Sequence, residues 1–218
     1  MSEVKESRAK RKYDGSGRRA RAEDTRRRVI DAAGELFVAH GYAGTSIRAI
    51  ALRAGVSQET VYAGFGSKAV LLSRWVDVQV VGDDAPVALI DRAWVRELRE
   101  QPDREERFRA FSDHGMAVTR RVAPAMRLLR AAAQSDPDIA EVLERGLRAR
   151  LHDIGTLFDL IFDNSFGPLP GDRDESVTWL WAITGDEIYT DLTMTLGWTH
   201  EQYVRWMDHT VRSTFDLR

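Results

Sequence analysis

The chain contains no cysteine. A disulfide framework, a thiolate metal site and a cysteine nucleophile are therefore excluded, and a reducing compartment suits the composition. No run approaches the ~18 consecutive apolar residues that a membrane span requires, so no membrane partner is expected. The first residues are charged and lack the apolar stretch of a signal peptide. A cytoplasmic location is the resulting expectation. Alternating strand patterns of useful length, internal repeats and a glycine-rich phosphate loop are also missing. His114, His152, His200 and His209 form no pair at one-turn spacing, and no nucleophile motif accompanies them. The reading is therefore of a protein that is not an enzyme, with no catalytic residue, metal ligand or cofactor.

What is present is helical periodicity and a lopsided charge. The 218 residues suffice for one large domain, or a small one followed by a larger one. Residues 1–76 carry 15 Lys and Arg against 8 Asp and Glu, a net of +7; residues 77–218 carry 17 against 26, a net of −9. A basic front before an acidic back points to a polyanion met by the front alone.

Residues 1–21 are nearly devoid of apolar side chains and are read as a flexible basic arm. From Asp24 the pattern changes. Val29, Ile30, Ala33, Leu36 and Phe37 share one helical face, and Gly41 suits the left-handed position that ends such a helix. Ser46 is placed to cap a second helix whose Ile47, Ile50 and Ala51 face inward. Ser57 caps a third, short one, anchored by Val61 and Tyr62, and Ser67 caps a fourth, from Lys68 to about Val81. Two short helices joined by "AGVS" make a helix-turn-helix. Behind them the spacing predicts further helices. One break is expected at Pro124, read as a first-turn proline, another helix follows Asp136-Pro137, and the last two run about Arg173 to Leu196 and His200 to Phe215. The fold class is all-α: a three-helix helix-turn-helix domain over 22–70 (motif about 46–65), then a larger helical domain over 71–218.

The residues Ala32, Ala33, Leu36, Phe37, Gly41, Tyr42, Thr45, Ser46, Ile50, Ala51, Ala54, Gly55, Val56, Ser57, Thr60, Tyr62, Phe65, Ser67, Lys68, Leu71 and Leu72 stand in register with a known pattern. That stretch resembles the DNA-binding domain of the TetR family of transcriptional regulators. The resemblance covers about a quarter of the chain. It implies a homodimer, usually a repressor, whose larger domain binds a small effector and changes the spacing of two DNA-reading heads on a pseudo-palindromic operator. A regulator or architectural protein without small-molecule control, or an activator, would carry the same residues. The last two helices, about 173–196 and 200–216, are the dimerisation candidates.

A recognition helix offers its N-terminal residues to base edges in the major groove of double-stranded DNA; here these are Gln58, Glu59 and Thr60. Gln suits adenine, Glu accepts from cytosine, and the Thr methyl suits thymine. By position, the resemblance adds Ser46, Arg48, Tyr62 and Lys68 as contacts. The chain departs from the common pattern just after Tyr62, where Ala63 and Gly64 replace bulkier or polar residues. Arg18, Arg19 and Arg21 of the arm are expected to compensate in a neighbouring minor groove, which attracts arginine where it is narrow. For the unknown effector, polar or aromatic residues on apolar faces are the candidates: His114, Arg120, Arg121, His152, Trp181, Asp186 and Tyr189, with Met116, Thr156 and Thr184 beside them. The sequence leaves the charge of that effector open.

Overall fold

The computed structural model describes residues 16–83, 87, 89–162 and 171–217. All regular structure among them is helical. α1 (Ser16–Gly44) runs through Val29, Ile30, Ala33 and Phe37, all buried as their spacing requires, and is interrupted at Gly41, whose φ of 69° is open to glycine without strain. α2 (Ile47–Ala54) and α3 (Gln58–Phe65) follow, then α4 (Lys68–Val81). Each of the last three opens on the expected serine: Ser46, Ser57 and Ser67 accept from the backbone N–H of Ala49, Thr60 and Val70.

Beyond α4 come a 3-10 turn (Leu89–Asp91), α5 (Ala93–Glu100), α6 (Arg104–Ala133) and α7 (Pro137–Ile161), the last capped by Asp136 with Pro137 in its first turn. α8 (Arg173–Ile183), α9 (Asp186–Thr190) and α10 (His200–Thr214) complete the chain.

Four sequence expectations are corrected. Arg18, Arg19 and Arg21 stand on the first turns of α1, exposed, where a flexible arm was expected; residues 1–15 lie outside the described residues. Pro124 does not begin a helix but lies within α6. Its ring faces solvent, while Val122, Ala123, Ala125 and Met126 on either side are buried, and their packing outweighs the one backbone hydrogen bond that proline removes. The helix expected from Arg173 to Leu196 is broken at Thr184-Gly185, and after α9 it widens into a π turn over Asp191–Thr195. Tyr62 does not anchor α3; it is 53% exposed, and Val61 with Phe65 ties the helix down.

Two apolar cores hold the molecule. The first joins α1–α4 to the middle and end of α6 and the start of α7, through Val122, Met126, Leu129, Ile139 and Val142. The second packs α5, the start of α6 and the end of α7 against α8, α9 and α10, around Phe108, Phe158, Leu180, Tyr203 and Met207. The helix-turn-helix module therefore has no core of its own: it shares one with the long helices that follow.

Candidate DNA interface and effector cavity

α3 is two turns long, and its buried face is only Val61 and Phe65. Its other side is left to solvent: Gln58, Glu59, Thr60 and Tyr62 are all exposed, as are Ser46 and Arg48 at the start of α2. Gln58 and Tyr62 are one helical turn apart and share a face. Thr60 Oγ1 lies 3.1 Å from Ser57 Oγ, so its hydroxyl is engaged by the cap and its methyl is what it can offer a base. The Glu59 carboxyl is held below its usual range by the backbone N–H groups at the helix start and by the Ser57 hydroxyl. It is an ionised acceptor in the position where a cytosine amine or an adenine amine would be read.

Lys68 is placed differently from the expectation of a phosphate-contacting side chain. Its Nζ turns inward and donates to Tyr42 O at 2.8 Å and Thr45 O at 2.9 Å, with the ammonium 4.0 Å from the Tyr42 ring centre. Burial lowers its pKa, opposed by the charge of Asp136. The Tyr42 hydroxyl is pushed up to about 12, first by burial and then by the nearby Asp136 carboxylate. Asp136 in turn caps α7 through Asp138 N and Ile139 N. Lys68 thus bolts the chain before α2 to the N-terminus of α4, beside the Asp136 carboxylate that caps α7.

α4 is the bridge to the rest. Its front end carries that bolt, and its back end is held by Arg121 of α6, which donates to the carbonyls of Gln79 and Val80, the latter at 2.9 Å. Between the two ends, Ser73, Val76, Asp77, Val80 and Val81 form one wall of a cavity of about 400 Å³. α6, α7, α8 and α10 supply most of the remaining walls, with Leu89, Arg92 and Trp94 from the 3-10 turn and the start of α5, and Thr184 and Asp186 at the α8–α9 break. The volume falls within the range of small-molecule pockets, and its lining is mostly apolar.

The structure brings two of the seven sequence candidates for the effector, His114 and Asp186, to this cavity. His114 stacks on Trp94 with ring centres 3.8 Å apart, and burial, then the charge of Arg121, holds its pKa below the ordinary histidine value, so the ring is neutral. Asp186 pairs with Arg130 at 3.1 Å. The other five do not line it. Arg120 and His152 are exposed. Arg121 is committed to α4. Trp181 lies beneath the Arg150 guanidinium, 5.4 Å from it. Tyr189 is buried against Tyr203 and within 3.4 Å of His200 Nδ1. Spacing along a helix gives no hint of what the fold will set beside a side chain, so these five read like pocket residues without lining the cavity.

Sequence reasoning passed over Arg92, Arg150 and Asp153, which do line the cavity. The signal for Arg150 was present: it continues the stripe Leu143, Leu147, Ile154, Leu157 at helical spacing, a charge on an apolar face. Its Nη atoms donate to Trp181 O at 2.9 Å and Thr184 Oγ1 at 2.8 Å, closing the last turn of α8.

Residues 29–74 match the family described as bacterial regulatory proteins, tetR family. The N-terminal domain is a TetR-family domain. Among curated relatives, the HTH-type transcriptional regulator SrpR of Pseudomonas putida is 42% identical over 80 residues, which are 34% of this chain and 37% of that protein. The uncharacterized HTH-type transcriptional regulator TtgW, also of Pseudomonas putida, is 41% identical over 80 residues, 34% of this chain and 58% of that protein. The matched stretch thus spans less than two thirds of either relative. A solved structure of NalD, described as the secondary repressor of the MexAB-OprM multidrug efflux pump in Pseudomonas aeruginosa, superposes with a TM-score of 0.62 at 18% identity, covering 89% of this chain and 97% of that one. At that identity the likeness is one of fold. It extends over the larger helical domain as well as the TetR-family domain.

Proposed function

We infer that this chain is a transcriptional repressor that binds a pseudo-palindromic operator as a homodimer and is released by a small effector. The observation that carries the reading is α4. One helix begins where the DNA-reading α3 ends, and its other face is a wall of the large cavity. A ligand that displaces Val76, Val80 or Val81 must move the Arg121 and Lys68 attachments with it, because packed helices shift as bodies rather than stretch. The base contacts are assigned to Gln58, Glu59 and Thr60, with Ser46, Arg48, Tyr62 and the backbone start of α4 on phosphates, and Arg18, Arg19 and Arg21 at the α1 N-terminus as further cations. The dimer face is assigned to α8 and α10: Trp179 of α8, and Met194 and Leu196 of the π turn that leads toward α10, are exposed large apolar side chains. Two such heads read half-sites about 34 Å apart.

Footprinting on the DNA upstream of its own gene, followed by a small-molecule screen for release, tests the reading. Binding no tighter than to random duplex overturns it; specific binding that no compound relieves leaves a regulator without effector control. Gln58→Ala is expected to weaken operator binding by about 1–3 kcal/mol and to relax preference at one adenine position only. A uniform loss over all sequences would instead make Gln58 a backbone contact.

A further inference from the structure

Among the described residues, the charged side chains that line the cavity are each accounted for except one. Asp77 pairs with Arg74 at 3.7 Å, Arg92 with Asp83 at 2.6 Å and Asp186 with Arg130. Arg150 is half-buried, without a carboxylate at ion-pair distance among the described residues. Its charge nevertheless has a structural partner, since it closes the C-terminal turn of α8, where the helix dipole is negative. His114 is neutral and stacked on Trp94. Asp153 of α7 also lines the cavity, half-buried, and none of the described residues donates to it or pairs with it. Burial raises its pKa, opposed by the neighbouring charge of His152.

An ionised carboxylate facing an apolar cavity is a cost that the protein's own contacts leave unrelieved. The same walls include Trp94, Phe108, Phe111 and Tyr203, aromatic side chains of the kind whose faces attract cations. The net charge of −9 on residues 77–218 draws cations toward this domain. We propose that the effector of this cavity is an organic cation with an apolar body, its charged group held by the Asp153 carboxylate. This rests on the ligand-responsive reading above and specifies its ligand.

Titration calorimetry of the full chain with decylammonium, decanol and decanoate, equal in chain length and different in charge, is the test. Decylammonium is expected to bind about tenfold or more tightly than decanol, Asp153→Asn to abolish that difference, and Asp153→Glu to retain it. The Asn variant should fold. Because the folded-state pKa of Asp153 is raised, its ionisation removes stability as pH climbs through and above the ordinary carboxylate range. At neutral pH Asp153→Asn is therefore expected to melt no lower than the parent. Decanol or decanoate binding as tightly as the amine, or an Asn variant that keeps the preference, overturns the cation while leaving effector control standing. Binding by none of the three overturns the proposal and removes the cavity's support for effector control with it.

Discussion

Gly34→Ala is expected to destabilise the fold by about 1–3 kcal/mol, a fall in melting temperature of about 3–10 °C. Gly34 is buried in the middle of α1, with ordinary helical dihedrals, and alanine is the better helix former. Propensity alone would therefore predict a gain. The packing reverses the sign: a methyl group there would overlap the Trp75 indole, 2.6 Å from Cδ1 and 2.7 Å from Cε2. Trp75 is 8% exposed and rests on Phe37 with ring centres 6.1 Å apart, so it has nowhere to swing. α1 and α4 would have to part. Pairing Gly34→Ala with Trp75→Leu, which vacates that space, should recover part of the loss, and a double-mutant cycle reads the coupling. A single variant that melts with the parent would show that the two helices are not packed this closely. Since α4 carries the cavity wall, the same variant is expected to blunt any effector response before it unfolds the protein.

The second large effect is expected at Lys68. Lys68→Ala removes two charge-assisted hydrogen bonds, to Tyr42 O and Thr45 O, and a cation over the Tyr42 ring. The loss should be about 2–3 kcal/mol of stability. Operator affinity should fall as well, because the turn that presents α2 and α3 loosens. What separates this from a phosphate contact is the salt dependence. A lysine that touches DNA lowers the slope of log affinity against log salt by about 1 when removed and leaves the melting temperature alone. Here the slope is expected to hold and the melting temperature to drop. The opposite pair of results would return Lys68 to the interface.

Much of the front of the molecule was legible in the residues. The apolar face of α1, the three serine caps and the exposed triplet Gln58, Glu59 and Thr60 follow from local rules: periodicity, side-chain-to-backbone capping, and a short helix with few places to bury anything. The larger domain was legible only as helices. Pro124 reads as a helix start because proline is favoured in a first helical turn; only burial of Val122, Ala123, Ala125 and Met126 in two cores carries α6 past it. The break at Thr184-Gly185 was hidden inside a good helical pattern, and the Arg130–Asp186 pair that sits on it joins residues 56 apart.

The charged groups divide in the same way. Charge totals, spacing and caps are properties of neighbouring residues, and they are enough to place a helix-turn-helix in a basic front and an acidic, helical back behind it. Tertiary structure decided which cations are free to meet a ligand. Lys68, Arg121 and Arg150 all look available in the chain, and each is occupied by carbonyl or hydroxyl oxygens that folding brings up from 23 to 42 residues away. Asp153 looks like one more acid on a solvated helix and is left, by the same packing, facing the cavity without a partner among the described residues. Long side chains reach whatever the fold sets within a few ångströms, and that distance is not a function of spacing along the chain.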